Sequence, residues 1–299
     1  MKIAWAAVSA RRTENMAGFD FILCADDYGM TEAVSRGLLE VAAAGRISAA
    51  SAMASLPDWR RAARDWERTR PSVDLGLHVT LTVGAPLGAM PRLAPGGELP
   101  RLGALAAAAL ARRLPRDEIE AEIGRQIDAF CDATGAAPTH VDGHQHVHVL
   151  PGVRGALFAA LARRDLLAVP VRDSSDAPAR IARRRAFSAK AMKVNALAAG
   201  FRGAARRAGH TLNQGFAGYS DFSPERYDAR QFGAYLTAPG PRHLVMCHPG
   251  RVDDALRRLD PVREARERER AFFLSDEFAD LLAARGARLA RHAAWLTRP

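Results

Sequence analysis

The chain has 299 residues, of which 48% are hydrophobic, and its formal net charge is +10. That length can bury one large core or two modest ones, and no apolar run reaches the roughly 18 residues that a membrane span needs. The three cysteines, Cys24, Cys131 and Cys247, share no close spacing, which indicates reduced thiols in a cytoplasmic protein rather than a disulfide framework.

The N-terminal stretch, MKIAWAAVSARR, places a lysine before a short apolar patch and small residues. Its apolar patch is at the short limit for a secretory signal peptide, which is the less favoured interpretation. We therefore expect residues 1–18 to be a disordered tail or an over-long start. A single domain is expected over residues 19–299, since no repeat or linker argues for two.

Strand-like and helical segments alternate along the rest of the chain. The strand candidates are Phe19–Ala25, Ile47–Ala54, Val73–Thr82, Thr139–His144, Ala168–Arg172 and Arg242–Cys247. The helix candidates are Thr31–Ala44 with Thr31 as N-cap, Pro57–Arg68, Leu102–Leu114, Arg116–Thr134, Gly152–Arg164, Pro261–Arg270 and Asp276–Arg285. This alternation predicts an α/β fold with a mainly parallel sheet.

Residues with reactive side chains occur at one kind of place in this pattern. Six of them end the strand candidates or lie in them: Asp26, Asp27, His78, Asp142, His144 and His248. Each alone has a plainer interpretation, as a helix cap, a buried histidine or a turn residue. Because the carboxyl ends of parallel strands meet on one face of a β/α barrel, their shared position predicts a barrel with its site on that face.

The segment PTHVDGHQHVHVLP contains four of the nine histidines, which are His140, His144, His146 and His148. In an extended conformation, a period of two places His140, Asp142 and His144 on one face. A packed core has no use for three polar groups that project together, whereas imidazoles beside a carboxylate suit a divalent cation. The cluster therefore predicts a metal site, and an exposed His-rich loop is the alternative.

No acidic residue occurs between Asp176 and Asp221, where nine basic residues accumulate. They are Arg180, Arg183, Arg184, Arg185, Lys190, Lys193, Arg202, Arg206 and Arg207. We expect a basic helical insertion over about 177–220 at the barrel mouth, in which Arg183, Arg184 and Arg185 contact an anionic substrate or membrane surface. A solvated helical face is the alternative interpretation. Surfaces that bind nucleic acid can have this composition, but no nucleic-acid partner is expected.

Four motifs in this order, LCADDYG, LGLHVTLT, THVDGHQHVH and MCHPG, resemble the YdjC-like (ChbG/HpnK-type) carbohydrate deacetylase family from Phe19 to the C-terminal helix. The resemblance implies an incomplete TIM-like (β/α) barrel and metal-dependent removal of acetyl groups from N-acetylated sugars. By motif, it implies that one divalent metal ion, zinc or magnesium, is bound by Asp27, His78 and His144. It also implies that Asp26 is the general base and His248 the general acid.

The motifs depart from the family pattern at two positions that are not metal ligands. Tyr28 stands where phenylalanine is common and Gly143 where serine is common. Asp142 stands where the HpnK branch has asparagine, so the chain is not assigned to that branch.

Four further residues of the motifs are expected to orient a ligand or contact substrate: Asp142, His146, His148 and Tyr28. Asp142 can orient an imidazole or join the network of the base. His148 is an alternative metal ligand if a helix begins at His144, because the two residues are four apart.

These residue types suit amide hydrolysis. A divalent cation polarises a carbonyl and lowers the pKa of its water from about 15.7 to about 7 for zinc. Of two adjacent aspartates, one can bind the ion while the other accepts the proton of the water. A histidine with a pKa near about 6.5 can protonate the leaving amine.

Three functions remain in competition: a sugar N-deacetylase, another barrel metallohydrolase such as a phosphoesterase, and a non-enzymatic basic protein that binds nucleic acid or anionic lipid. The last leaves the strand-end aspartates and histidines without a purpose, so the deacetylase is favoured. Its expected substrate is an N-acetylated oligosaccharide or glycolipid. A second expected partner is an anionic membrane surface, and the protein is expected in the cytoplasm, where it would contact the inner face of the membrane. A homodimer is left open.

Overall fold

The computed structural model describes residues 18–296, so the predicted tail over residues 1–18 lies outside the described residues apart from Gly18. The described chain forms a sheet of seven strands: β1 (Phe19–Tyr28), β2 (Ala49–Ala52), β3 (Asp74–Val79), β4 (Val141–Gly143), β5 (Phe216–Ala217), β6 (His243–Cys247) and β7 (Ala287–Leu289). Their order is β4-β3-β2-β1-β6-β5, with β7 beside the start of β1. Every pairing between these strands is parallel, as predicted.

The sheet curls towards a ring, and single bridges rather than full strands join its remaining side. Val171 pairs in parallel with Val141 of β4 and with Leu212, which lies shortly before β5. The strand predicted over Ala168–Arg172 is therefore reduced to one bridged residue. This weakly joined side confirms the incomplete TIM-like (β/α) barrel that the sequence predicted.

Helices occupy the connections between the strands. They are α1 (Glu32–Ala43), α2 (Trp59–Thr69), α3 (Leu102–Leu110), α4 (Arg116–Thr134), α5 (Val153–Ala162), α6 (Pro178–Arg184), α7 (Ser188–Leu197), α8 (Phe201–Arg207), α9 (Ala229–Tyr235), α10 (Asp254–Leu259), α11 (Glu264–Leu274), α12 (Asp276–Arg285) and α13 (Ala293–Leu296). The bounds of α4 and α12 are those predicted, whereas α3 ends four residues early. In the described part of the chain, no helix combines the length and the apolar character needed to cross a membrane.

Helix α1 holds the end of β1 close to the loop that follows β6. The Thr31 hydroxyl accepts a hydrogen bond from the Val34 N–H at 3.3 Å and so caps the helix. Gly37 faces that loop, and a Cβ atom at this position would lie 2.6 Å from the Gly250 carbonyl carbon. The close approach requires glycine and brings two widely separated segments of the chain to one end of the barrel.

The C-terminal segment packs across the start of the strands. Asp74, the first residue of β3, accepts hydrogen bonds from the His292 backbone N–H and from Arg291 Nε, each at 2.7 Å. Trp295 packs with Ile22, Leu244 and other apolar side chains of the barrel interior. The amino ends of the strands are thereby covered, which leaves their carboxyl ends for a cavity.

The basic segment is part of the barrel wall, and one of its arginines is structural. The side chain of Arg184 is 4% exposed and donates to the carbonyl oxygens of Phe216 at 2.6 Å and Thr237 at 3.0 Å. It also pairs with Asp176 at 2.7 Å. The prediction that Arg184 contacts an anionic substrate is therefore wrong, because its guanidinium ties α6 to β5.

We expect Arg184→Gln to destabilise the fold and Arg183→Gln to leave it nearly unchanged, since Arg183 is exposed. Loss of the guanidinium leaves the Phe216 and Thr237 carbonyls without their donor and leaves Asp176 paired only with Arg180 at 3.2 Å. Loss of such buried hydrogen bonds typically costs about 1–3 kcal/mol. Thermal and denaturant unfolding of the two variants measures the difference. Equal stability of both variants would contradict a structural role for Arg184.

Candidate active site

A cavity of about 520 Å³ lies at the carboxyl ends of the strands. Its lining includes five residues predicted for the site: Asp26, Asp27, His78, His144 and His248. They come from β1, from β3, from the turn after β4 and from the loop after β6. The barrel thus brings together side chains as far apart in sequence as Asp26 and His248, and this cavity is the candidate active site.

The two adjacent aspartates reach the same cavity because β1 is irregular at its end. Neighbouring side chains of a regular strand point to opposite faces of the sheet. Asp27 has a φ of 74°, and the register of β1 against β2 shifts between Ala25 and Tyr28. A left-handed conformation at a residue other than glycine typically costs about 1–3 kcal/mol and is found mostly at functional sites.

Asp27, His78 and His144 bring three potential metal-ligand atoms close together. The His144 Nδ1 atom lies 2.9 Å from Asp27 Oδ1, and the His78 Nε2 atom lies 3.3 Å from the same oxygen. All three side chains are buried, and their donor atoms lie within 4.8 Å of one another. Two imidazole nitrogens and one carboxylate oxygen form a donor set that a divalent cation accepts, with positions left for water and substrate.

In two other groups of the described residues the potential metal-ligand atoms also lie within 4.8 Å of one another, and both groups contain Asp142. They are Cys24–His140–Asp142 and Asp26–His78–Asp142. The Arg172 guanidinium contacts Asp142 at 2.5 Å and Asp26 at 2.6 Å. Burial also raises the pKa of the Cys24 thiol. At both of these groups Arg172 already contacts the carboxylates. Arg266 contacts only Oδ2 of Asp27 and leaves Oδ1, which faces both imidazoles, so the group around Asp27 is the better candidate.

The charge around these donors also favours a cation. Four carboxylates face only two guanidinium groups there: Arg172 pairs with Asp26 and Asp142, and Arg266 pairs with Asp27 and Asp260. Burial lowers the pKa of His78, but the Asp142 and Asp26 carboxylates outweigh burial and raise it to about 10. His78 therefore holds a proton at neutral pH that a bound cation would displace.

A chain of buried hydrogen bonds fixes the orientation of His78. Its Nδ1 atom lies 2.6 Å from Asp142 Oδ1, and the Ser51 hydroxyl donates to Asp142 Oδ2 at 2.7 Å. Ser51 in turn accepts from His140 Nε2 at 2.9 Å, and His140 Nδ1 accepts from the Thr139 hydroxyl at 3.0 Å. Because a carboxylate only accepts, Nδ1 of His78 must carry a proton, and Nε2 faces Asp27.

Asp26 is held by a residue that the sequence analysis did not assign to the site. Both oxygens of Asp26 accept from Arg172, at 2.6 and 2.7 Å, and Arg172 is 2% exposed. Arg172 follows the bridged residue Val171, so it occupies the strand-end position that identified the other residues. The same rule, applied to Ala168–Arg172, would have found it.

Asp27 has a further partner that no sequence pattern indicated. Arg266 of α11 donates to Asp27 Oδ2 at 2.7 Å. Burial opposes ionisation of Asp27, but Arg266 and His144 hold the pKa of this carboxyl well below its usual range. Arg266 lies in a run of alternating Arg and Glu that is typical of an exposed helix, which concealed its burial.

His248 lies at the edge of the donor cluster. Its backbone N–H donates to Glu269 at 2.6 Å, and its ring meets Phe222 edge to face at 5.1 Å. Desolvation lowers the pKa of His248 to about 4, and burial raises the pKa of Glu269 to about 8. His248 is therefore neutral at pH 7 in this structure.

Of the remaining predicted residues, His146 lines the cavity, whereas His148 and Tyr28 do not. His146 lines the cavity, with Nδ1 3.1 Å from the Ser174 hydroxyl. His148 donates from Nε2 to the Arg172 carbonyl at 2.8 Å, and among the described residues it belongs to none of the three groups of converging donor atoms, so it is not the alternative ligand. The Tyr28 hydroxyl donates to the Ala62 carbonyl at 2.6 Å outside the cavity, which corrects its expected role near substrate.

Comparison with known proteins gives relatives of one family. The chain matches the family model described as YdjC-like protein over residues 20–284. It is 36% identical over 152 residues to the carbohydrate deacetylase of Geobacillus stearothermophilus, covering 50% of this chain and 59% of that protein. It is 30% identical over 239 residues to the chitooligosaccharide deacetylase of Klebsiella pneumoniae (strain 342), covering 79% of this chain and 83% of that protein.

One solved structure shares the fold over nearly the whole chain. It is described as a cellobiose-phosphate cleavage protein from Enterococcus faecalis V583, and it aligns with a TM-score of 0.70 at 20% identity. The alignment covers 93% of this chain and 99% of that one. The family match covers most of the sequence, and the residues that carry its motifs meet in one cavity. The chain belongs to the YdjC-like protein family.

Proposed function

We propose that the chain is a metal-dependent carbohydrate deacetylase that hydrolyses the acetamide of an N-acetylated sugar. The observation that carries the proposal is the cluster of Asp27, His78 and His144, with Asp26 and His248 in the same cavity. The names of the relatives support the reaction, although the first of them is matched over only 59% of its length.

Asp27, His78 and His144 would hold one divalent ion. When bound, such an ion polarises the amide carbonyl and makes its water acidic enough to attack near neutral pH. Imidazole ligands suit zinc, whereas carboxylate and water ligands suit magnesium. The donor set alone is compatible with both, so elemental analysis of the purified protein identifies the metal.

Asp26 is the proposed general base. Arg172 donates to both of its oxygens and so fixes the orientation of the carboxylate. Each oxygen keeps a second lone pair, with which it can accept the proton of the attacking water. Asp27 cannot serve as this base, because its oxygens face His144, His78 and Arg266.

His248 is the proposed general acid. It is neutral in the resting protein, so it must take up a proton during the reaction. The negative charge that develops on the substrate raises the proton affinity of the imidazole, so His248 takes up a proton from solvent and donates it to the leaving nitrogen. Asp26 then releases to solvent the proton that it took from the water, which balances the protons. Water adds to the carbonyl carbon, the C–N bond breaks, and the products are acetate and an amino sugar.

The other two functions are less favoured. A phosphoesterase could use Lys190 and Lys193, which line the cavity, but the two sequence relatives described above are named for deacetylation. A non-enzymatic binding protein does not need Asp26, Asp27 and His248 in one cavity. Dimerisation and cytoplasmic location stay predictions.

Acetate release from a panel of substrates tests the reaction. Metal-loaded protein is incubated with N-acetylated monosaccharides, chitooligosaccharides and sugar lipids, and with phosphate monoesters as the comparison set. We expect acetate and an equal amount of free amine from at least one N-acetylated sugar. Phosphate release without acetate release would support the phosphoesterase instead.

A further prediction concerns the hydrogen-bond chain that ends at His78. Ser51→Ala removes the donor to Asp142, so the carboxylate holds His78 less firmly and metal affinity should fall about tenfold. Ser48→Ala is the matched control, because its buried hydroxyl accepts from the Leu23 N–H in a neighbouring part of the sheet. Competition with a chelator measures the affinity. Equal metal affinity in both variants would contradict the role of the hydrogen bonds that link Ser51, Asp142 and His78.

A further inference from the structure

The walls of the cavity differ from its floor. The floor is polar, whereas the upper lining includes six aliphatic side chains from α3, the turn after β4, and α7: Leu102, Ala106, Val149, Leu150, Val194 and Leu197. A sugar hydroxyl placed against such a wall would lose its hydrogen bonds to water without gaining others. The aliphatic lining therefore suits an apolar part of the substrate rather than further sugar rings.

Helix α3, which forms one of these walls, exposes apolar residues to the outside. Its sequence, LGALAAAAL, contains no polar side chain, and only Leu105 and Ala109 are buried. Surface helices normally carry polar residues on the exposed face. Leu110 is 62% exposed, and the arginines that flank the helix, Arg101, Arg112 and Arg113, are exposed as well.

Helix α7, which forms another wall of the cavity, also exposes apolar residues and is flanked by basic ones. Only Ala191 of its residues is buried, and Met192 is 43% exposed. Lys190 and Lys193 line the cavity, and Lys190 Nζ is positioned by a 2.8 Å hydrogen bond to the Ser220 carbonyl. Arg183 and Arg185, which precede α7, are exposed. The segment 177–220 itself contains no acidic residue, and Asp221, which directly follows it, is the acidic residue that acts on Lys190.

Exposed apolar side chains interleaved with an excess of cations match the chemistry of an anionic bilayer surface. We propose that α3 and α7 bind the surface of an anionic lipid bilayer at the cavity mouth. We further propose that the substrate is an N-acetylated sugar on an apolar anchor, which lies against the aliphatic walls. The second statement rests on the proposed deacetylase function, whereas the first does not.

Vesicle binding tests the bilayer surface independently of catalysis. The probes are phosphatidylcholine vesicles with and without about 30% phosphatidylglycerol, and binding is measured by co-sedimentation at low and high salt. We expect the parent protein to bind the anionic vesicles at least about tenfold more tightly than the neutral ones, and less tightly at high salt. Equal binding to both kinds of vesicle, or none, would overturn the proposal.

Two double variants locate the surface. Leu110→Gln with Met192→Gln changes the proposed surface, and Leu87→Gln with Leu167→Gln changes leucines that are 43% and 45% exposed elsewhere. None of the four residues lines the cavity. We expect the first pair to lower the affinity for anionic vesicles about tenfold and the control pair to leave it unchanged. An equal loss in both pairs would place the contact elsewhere.

The class of substrate is tested by affinity rather than turnover. The Asp26→Asn variant, which should keep its metal, is titrated with a dodecyl glycoside of N-acetylglucosamine below its micelle concentration and with diacetylchitobiose. We expect the alkyl glycoside to bind at least about tenfold more tightly, because its chain is buried by the aliphatic walls. Equal or weaker binding would overturn the apolar anchor. Absence of acetate release from every sugar would instead overturn the proposed function.

Discussion

Replacing His144 with alanine is expected to remove the metal and to lower acetate release more than about 10⁴-fold. His144, His78 and Asp27 supply the three converging donor atoms, so an alanine at any of them leaves only two ligands. Metal content after dialysis and acetate release at saturating sugar measure the two effects together. His146→Ala is the control, because His146 lines the same cavity but does not belong to the donor group.

The expected pattern separates a metal ligand from a residue that merely lines the cavity. The three ligand variants should lose metal, whereas His146→Ala should retain it at the level of the parent. A structure of the metal-loaded protein decides the assignment directly, since ligand atoms lie about 2.0–2.2 Å from zinc. A metal bound more than about 3 Å from two of the three side chains would contradict the assignment.

The second large effect distinguishes the two adjacent aspartates. Asp26→Asn should lower turnover about 10²–10⁴-fold while the metal stays bound, because the amide cannot accept the proton of the water. Asp27→Asn should weaken metal binding itself, because Asp27 Oδ1 lies close to both imidazoles. The two variants are nearly isosteric neighbours, so each is the control for the other.

Metal content and turnover are measured on the same preparations. Retained metal in Asp26→Asn and lost metal in Asp27→Asn would support separate roles for base and ligand. If both variants lost metal to the same extent, the two carboxylates would act as one unit and the proposed division would be wrong.

The position of the site could be predicted because the fold class fixes it. Alternating strands and helices predict a parallel sheet, and the carboxyl ends of such strands share one face. His78, His144 and His248 were found by this rule without knowledge of any contact. Arg172 obeys the same rule, since it ends the strand predicted over Ala168–Arg172, and was missed because an arginine is neither a usual metal ligand nor a usual general base.

Other features of the site depend on contacts that no local pattern encodes. The left-handed conformation of Asp27 turns two successive carboxylates to one side, against the period of two. Arg266 reaches Asp27 across the fold from a helix whose charged sequence indicates exposure. Arg184 was predicted to contact a ligand at the surface but is buried, since a run of three arginines does not reveal which one is buried. Burial of a long charged side chain is decided by tertiary partners rather than by its neighbours in sequence.

Titration of metal-stripped protein with zinc and, separately, with magnesium tests the central claim most directly. Acetate released from the best N-acetylated sugar of the panel is followed as a function of added metal. The account predicts no release without metal and a rise that saturates at one ion per chain, with Asp26→Asn inactive at every metal concentration. Acetate release that is independent of metal, or that is undiminished in Asp26→Asn, would contradict it.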